Sequence, residues 1–210
     1  MASVENPIIL PLFSSPLYRE TTDFRFNPSE LKTIQSVPYE HAEGPDKPVE
    51  ISDENRILEK KEFKRIKNFV DKKAQDYFKK TLHIKNEFIM TQSWITKGRP
   101  GIAHHKHRHL NAIFSLVYYI DCPSAHLQFT TPDNFLMNCC FFSYEYNKHT
   151  VLNSATWTIP VKTGDLLIFP ANMCHQSSPN SASANKWVLS CNYFLKEILN
   201  LSQHLICACT

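Results

Sequence analysis

The apolar positions along this chain change period once, near residue 85. Upstream of that point the spacing is helical. Asn27-Pro28-Ser29-Glu30 opens a helix, with a side chain to cap it, a proline at the first helical position and an early acid, and the helix ends before Pro38. From Ser52 or Asp53 to Leu82, the residues Ile57, Leu58, Phe63, Ile66, Phe69, Val70, Tyr77 and Phe78 fall mostly three or four apart. That is the stripe of an amphipathic helix, and its irregularity predicts a break near residue 60. Lysines and arginines fill the opposite face, which reads as a solvated surface rather than a polyanion site. Residues 7–18 look like an apolar edge strand interrupted by prolines, and residues 39–51, with Gly44-Pro45-Asp46, read as a polar loop.

Downstream the pattern becomes that of strands. Residues 88–95, 112–120, 126–130, 141–146, 156–161, 166–169 and 186–194 are short runs rich in aromatic and aliphatic side chains. Turn sequences separate them, among them Asp121-Cys122-Pro123, Pro132-Asp133-Asn134, Thr163-Gly164-Asp165 and Ser178-Pro179-Asn180. Many short strands at this spacing predict a sandwich or barrel, and helices that all precede the strands should pack on one of its faces. A chain of 210 residues suits a single domain, 1–210. Within it, 1–85 supplies an N-terminal strand and helical support, 86–196 the β core and 197–210 a tail.

Composition narrows the function classes. Four glycines are too few for a dinucleotide fingerprint or a phosphate-binding loop. A net charge of +3 gives no strong nucleic-acid signal. Seven cysteines without regular spacing read as reduced thiols, and Cys207 and Cys209 beside His204 read as part of a docked terminus. No run reaches the ~18 apolar residues of a membrane span, and the first residues lack a basic, then apolar, leader, so a cytoplasmic protein is expected.

The chemistry concentrates in the histidines. Four of the ten, His104, His105, His107 and His109, crowd one short segment just before a strong strand. If that segment is extended, His105, His107 and His109 share a face while His104 points away. Same-face imidazoles two residues apart can chelate one ion. A further imidazole, His175, follows the apolar strand 166–169 and Pro170. Two ligands at one strand end and a third from a distant strand is how a jelly roll builds a metal site in its mouth. Lys186 then opens a strand otherwise destined for the core, and a buried cation needs an anionic partner, which a bound carboxylate would supply.

In this order the residues resemble the 2-oxoglutarate and Fe(II)-dependent oxygenase superfamily, in particular a small branch common in bacteria and tailed phages. The likeness runs through Leu12-Phe13-Ser14-Ser15-Pro16-Leu17-Tyr18, Thr91-Gln92-Ser93-Trp94 and His105-Lys106-His107-Arg108-His109-Leu110-Asn111. It continues through Phe114-Ser115-Leu116-Val117-Tyr118-Tyr119-Ile120, then Gly164-Asp165-Leu166-Leu167-Ile168-Phe169-Pro170 up to His175, and Lys186 to Asn192.

The resemblance implies a mainly β fold with N-terminal helices, the cupin-like double-stranded β-helix or jelly roll. It implies an enzyme that uses Fe(II), 2-oxoglutarate and O2 to hydroxylate an unidentified substrate, releasing succinate and CO2. His107 and His109, with His105 as the alternative, and His175 take the metal positions. Lys186 takes the place of the arginine that pairs with the far carboxylate of 2-oxoglutarate. Tyr119 or Tyr118 lines the cosubstrate pocket, and Asn111 and Asn192 are further pocket residues. The partners implied are 2-oxoglutarate and the substrate, with a homodimer left open and the host cytoplasm as location for a phage-encoded chain. Three departures stand out: Leu116 for a glycine, Lys186 for the arginine, and no carboxylate in the histidine segment, where the usual triad has one. The rival readings are a cupin-like metalloprotein that does not use 2-oxoglutarate and a non-enzymatic jelly-roll binding module.

Overall fold

The computed structural model describes residues 14–41, 49–131 and 145–197. Two antiparallel sheets face each other, and helices cover the outer face of the larger one. The large sheet takes its strands in the order β1 (Tyr18–Thr21), β8 (Asp165–Pro170), β5 (Phe114–Asp121), β10 (Lys186–Leu195), β4 (Phe88–Gly98), β3 (Glu50–Ser52) and β2 (Tyr39–His41). The small sheet runs β7 (Thr156–Val161), β6 (Ala125–Thr130) and β9 (Cys174–Ser177). This is the expected jelly roll.

The period of two decides which side chain goes where. On β5, Leu116, Tyr118 and Ile120 face the helices and join Leu166, Ile168, Leu189 and Tyr193 in one apolar cluster. Val117 and Tyr119 face the other way and meet Leu167, Phe169 and Val188, together with Leu127 and Phe129 of the small sheet. Every residue of β5 before Asp121 is buried because both faces are covered. Leu116 is fully buried against the helices, so the side chain that departs from the family's glycine fills core space rather than the site.

The first helix, α1 (Pro28–Ser36), begins as the sequence predicts. The Glu30 N–H donates to Asn27 Oδ1 at 2.9 Å and the Asn27 N–H to Glu30 Oε2 at 2.7 Å, a reciprocal capping box. Glu30 is buried and also receives both forks of Arg65, at 3.0 and 2.6 Å, which ties α1 to the second helix. Asn27→Ala is therefore expected to cost about 1 kcal/mol of stability, read as a lowered midpoint in urea with an unchanged slope.

The second helical region is broken at Lys60, as its pattern predicts. Two 3-10 turns, Ile57–Glu59 and Lys61–Phe63, precede α2 (Lys64–Asp76), which ends in a π turn over Tyr77–Thr81. Its apolar stripe, with Ile66, Val70 and Ala74, is buried on the sheet. On its outer side Lys67 pairs with Asp71, Lys72 and Lys80 with Asp76, and Lys73 with Glu20.

Three local expectations need correction. Residues 39–51 are not all loop: β2 and β3 pair there and extend the large sheet, but each has three residues, too few and too polar to show a period. The N-terminal strand is Tyr18–Thr21, pairing with β8, while residues 14–17 are not in a strand and 7–13 lie outside the described residues. His175 does not merely follow a broken strand. It lies on β9, which the chain starts directly after the turn at Pro170. Of the expected strand at 141–146, residues 145 and 146 are not in a strand and the rest lie outside the described residues, as do Gly44-Pro45-Asp46, Pro132-Asp133-Asn134 and the C-terminal cysteines. Cys122, Cys174 and Cys191 carry free thiols, as expected.

Candidate metal and cosubstrate site

Strand β9 positions the site. It pairs with β6, setting His175 opposite Phe129, and on its other side it meets the histidine segment. The His107 N–H donates to the His175 carbonyl at 2.9 Å and the His175 N–H to the His107 carbonyl at 2.8 Å. Two residues on, the His109 N–H donates to the Ala171 carbonyl at 2.9 Å. The segment is thus pinned by its backbone to β9 and to the turn before it, although it is not itself a regular strand.

One ligand atom from each of His107, His109 and His175 lies within 4.8 Å of the others, a group that can hold a metal ion. The ring centroids of His107 and His109 are 5.2 Å apart, those of His107 and His175 4.4 Å, and those of His109 and His175 5.2 Å. Backbone carbonyls orient two of the rings. His107 Nδ1 donates to the His105 carbonyl at 2.8 Å and His175 Nδ1 to the Met173 carbonyl at 2.9 Å. That selects the tautomer whose Nε2 carries the lone pair, the arrangement metal-binding histidines use. Phe169 and Phe129 wall His175, with ring centroids 4.9 and 5.9 Å away, and Trp94 lies 5.5 Å from the His109 ring.

Burial, and then the neighbouring imidazoles, hold His109 down to about 4 and His175 to about 3. Both stay neutral at neutral pH, so no proton needs to be displaced before a metal binds.

His104 corrects the face argument. Its ring stacks on His107 with centroids 4.3 Å apart and lines the same cavity, instead of pointing away. Alternation holds only in a paired strand, and residues 102–106 are irregular. Burial and the surrounding imidazoles push His104 down to about 2. His105 is exposed and belongs to a second group with His104 and His107. Among the described residues no Asp or Glu joins either group.

The cavity beside the inner three histidines measures about 60 Å³, and Lys186, Tyr119 and Val188 form part of its wall. Lys186 is 5% exposed and has no carboxylate partner among the described residues. Burial lowers its pKa from the usual lysine value, with only the Cys122 sulfur acting in the other direction. It faces Gly98 across the β10–β4 ladder, and a Cβ there would stand 3.2 Å from Lys186 Cε. Glycine at 98 leaves the lysine stem room to lie in the wall.

The remaining pocket candidates divide. Tyr118 is not in the cavity: its hydroxyl donates to the Phe24 carbonyl, and its ring packs with Phe24, Phe26 and Phe69 under the helices. Asn192 is on the same strand as Lys186 but six residues on, roughly 20 Å along an extended chain. It is buried, its Nδ2 donating to Gln92 Oε1 at 2.9 Å while its Oδ1 accepts from Ser115 Oγ at 2.9 Å. With Asn111 it lines a separate groove of about 310 Å³ beyond Trp94 and His109. The sequence gives no hint of that groove, because Glu40 and Asp53 on its far wall come from the β2–β3 region.

No helix among the described residues is long and apolar enough to cross a membrane. The comparisons with known proteins agree with this geometry. Residues 92–192 match a family described as "Putative 2OG-Fe(II) oxygenase". No curated protein sequence matches. The fold is similar to that of an oxidoreductase of the 2OG-Fe(II) oxygenase family from Burkholderia pseudomallei, at 12% identity over 84% of this chain and 83% of that one, with a TM-score of 0.57. It is also similar to the epimerase SnoN in complex with Fe3+, alpha ketoglutarate and nogalamycin RO, at 11% identity over 78% and 70% of the two chains, TM-score 0.55. A third likeness is to a prolyl hydroxylase from Trichoplax adhaerens, in complex with a hypoxia inducible factor peptide, at 13% identity over 82% and 77%, TM-score 0.53. At such identities these likenesses speak for the fold alone. The matched segment carries all five of these histidines and Lys186, so the likeness to the 2OG-Fe(II) oxygenases falls on the residues that form the site.

Proposed function

We propose that the enzyme is a 2-oxoglutarate- and Fe(II)-dependent dioxygenase that hydroxylates its substrate, with His107, His109 and His175 as iron ligands and Lys186 as the anchor for 2-oxoglutarate. The observation that carries this reading is the juxtaposition, in one cavity, of three convergent imidazoles and a buried lysine that has no carboxylate partner among the described residues. The donor set fits iron: imidazole suits Fe(II) as well as zinc, copper and nickel, and three ligands from two segments leave coordination positions open. The missing carboxylate makes the protein's own contribution neutral, which leaves more positive charge for an anionic cosubstrate to offset.

When bound, Fe(II) with 2-oxoglutarate and O2 supplies the oxidising power to place oxygen in a C–H bond, with succinate and CO2 as coproducts. The chain's residues do the rest. Lys186 sets a single positive charge at the end of the cavity, where it holds one carboxylate of the cosubstrate and fixes its direction. A lysine does this as a point charge, without the two-pronged grip of an arginine. Tyr119 is buried on the adjacent strand opposite Val188 and offers its hydroxyl to the same wall. Val117, Leu127 and Val188 keep that wall apolar, which strengthens the ammonium–carboxylate attraction and excludes water. The substrate enters from the groove, since Trp94 and His109 line both spaces.

The test is an anaerobic titration of the purified protein with Fe(II) and 2-oxoglutarate. A weak visible charge-transfer band is expected when both are present, and succinate should form once O2 is admitted. Saturating Fe(II) and 2-oxoglutarate without that band would sink the proposal, and a metal-loaded protein indifferent to 2-oxoglutarate would favour the cupin-like alternative.

A further inference from the structure

The histidine segment contains more ligands than the proposed iron site uses. His104 and His105 remain, and one ligand atom from each of them and from His107 lies within 4.8 Å of the others. Their ring centroids are 5.1 Å apart for His104 and His105, 4.3 Å for His104 and His107, and 5.4 Å for His105 and His107. We propose that His104, His105 and His107 form a second, outer site for a borderline-soft divalent cation such as Zn2+, and that its occupation withdraws His107 from the inner set and shuts the enzyme down.

Four observations carry this. The outer group needs no rearrangement, because both groups of three are already gathered in one structure. Its backbone is pinned at both ends. The Ser177 N–H donates to the His104 carbonyl at 3.1 Å and the His104 N–H to Ser177 Oγ at 2.9 Å, while His107 is bridged to His175. His105 lies between these anchors and is the most solvent-open of the outer three, so an ion from solvent meets the outer group first. Finally, the two sites exclude each other. His107 Nδ1 is engaged with the His105 carbonyl, which leaves a single ring nitrogen for two claimants.

Ligand chemistry sets the preference. Both groups are all imidazole, and without a carboxylate neither has a feature that favours iron. On such a set zinc and copper bind more tightly than Fe(II), following the usual order of divalent affinities. In the inner site a bound 2-oxoglutarate would add ligands and so help to retain iron. The outer site has no such help and takes whichever cation binds imidazole best. Its occupation takes one of three protein ligands from the inner ion and leaves two.

The consequence for iron rests on the function proposed above, but the outer site itself does not, and the experiment separates the two. In the His109→Ala protein the outer group is intact while the inner one is reduced to two histidines. Calorimetric titration with Zn2+ at neutral pH should show one equivalent bound, and adding His105→Ala should weaken it by about tenfold or more. Equal affinity in the single and double variants, or no zinc binding by the single variant, would overturn the outer site. In the wild-type protein loaded anaerobically with Fe(II) and 2-oxoglutarate, Zn2+ should bleach the charge-transfer band. The His105→Ala protein should need at least about tenfold more Zn2+ for the same bleaching. Identical dose curves would overturn the shut-off. If no band forms in either protein, the iron reading fails, while the calorimetric arm still decides the outer site.

Discussion

A His107→Ala protein is expected to keep its fold and lose its metal. The backbone of His107, not its ring, makes the two hydrogen bonds to His175, and alanine preserves both. The ring is what both histidine groups share, so its removal leaves two imidazoles in the inner set and two in the outer. Removing a partner that merely orients a ligand costs about 10–100-fold in metal affinity, and removing the ligand should cost at least about 100-fold. The measurement is metal content after dialysis against a limiting chelator, with far-UV circular dichroism to verify the fold. Metal retention at the wild-type level would exclude His107 from the site. Because His107 stands in both groups, this substitution should abolish iron and zinc binding together, whereas His105→Ala affects only the outer group.

Replacing Lys186 with methionine should separate the two halves of the site. Methionine keeps most of the stem and removes the ammonium. Metal content should remain, because Lys186 belongs to neither histidine group. Affinity for 2-oxoglutarate should fall by about 100-fold or more, the usual consequence of breaking a buried charge pair. Loss of the visible band at wild-type 2-oxoglutarate concentrations, with iron still bound, is the expected result, and an unchanged cosubstrate titration would remove Lys186 from its proposed role.

Stability should move the opposite way. Without cosubstrate the buried ammonium has no carboxylate partner among the described residues, and burial lowers its pKa from that of a free lysine. The unfolded chain therefore holds that proton more readily than the folded one. The destabilisation is present in full at pH below the lowered value, so there Lys186→Met should stabilise the ligand-free protein by about 1–3 kcal/mol. The gap should narrow as pH rises through the lowered value towards that of an unfolded lysine. A methionine variant less stable than the wild type without cosubstrate would mean that the ammonium is already paired.

Much of this architecture is legible in the chain because it depends on local rules. The capping box at Asn27 and Glu30 needs four consecutive residues and forms as expected. The break at Lys60 shows in the stripe between Leu58 and Phe63. Strands β4, β5, β6, β7, β8 and β10 are found within a few residues of where their aromatic and β-branched runs predict them. What escapes is too short to have a period. Three-residue β3 and four-residue β9 exist because a longer neighbour, β4 or β6, presents an edge to pair with, and β2 forms in turn on the edge of β3.

Read alone, the chain shows that imidazoles are concentrated between residues 104 and 109, that another lies at 175 and that a lysine opens the last strand. Residue type and order suffice for those statements, and they already name the chemistry. How these groups divide depends on the packing of distant elements. Alternation sends His104 away from His107, but the segment is irregular, is held to β9 by a few backbone bonds at His104 and His107, and brings His104 back onto its neighbour. Two adjacent tyrosines are equivalent in the chain until helices cover one face of β5, placing Tyr118 in the core and Tyr119 in the cavity. Lys186 and Asn192 lie on one strand face, yet six residues of extended chain put them in separate spaces. In each case the deciding contact joins elements far apart in sequence, and no local pattern carries that information.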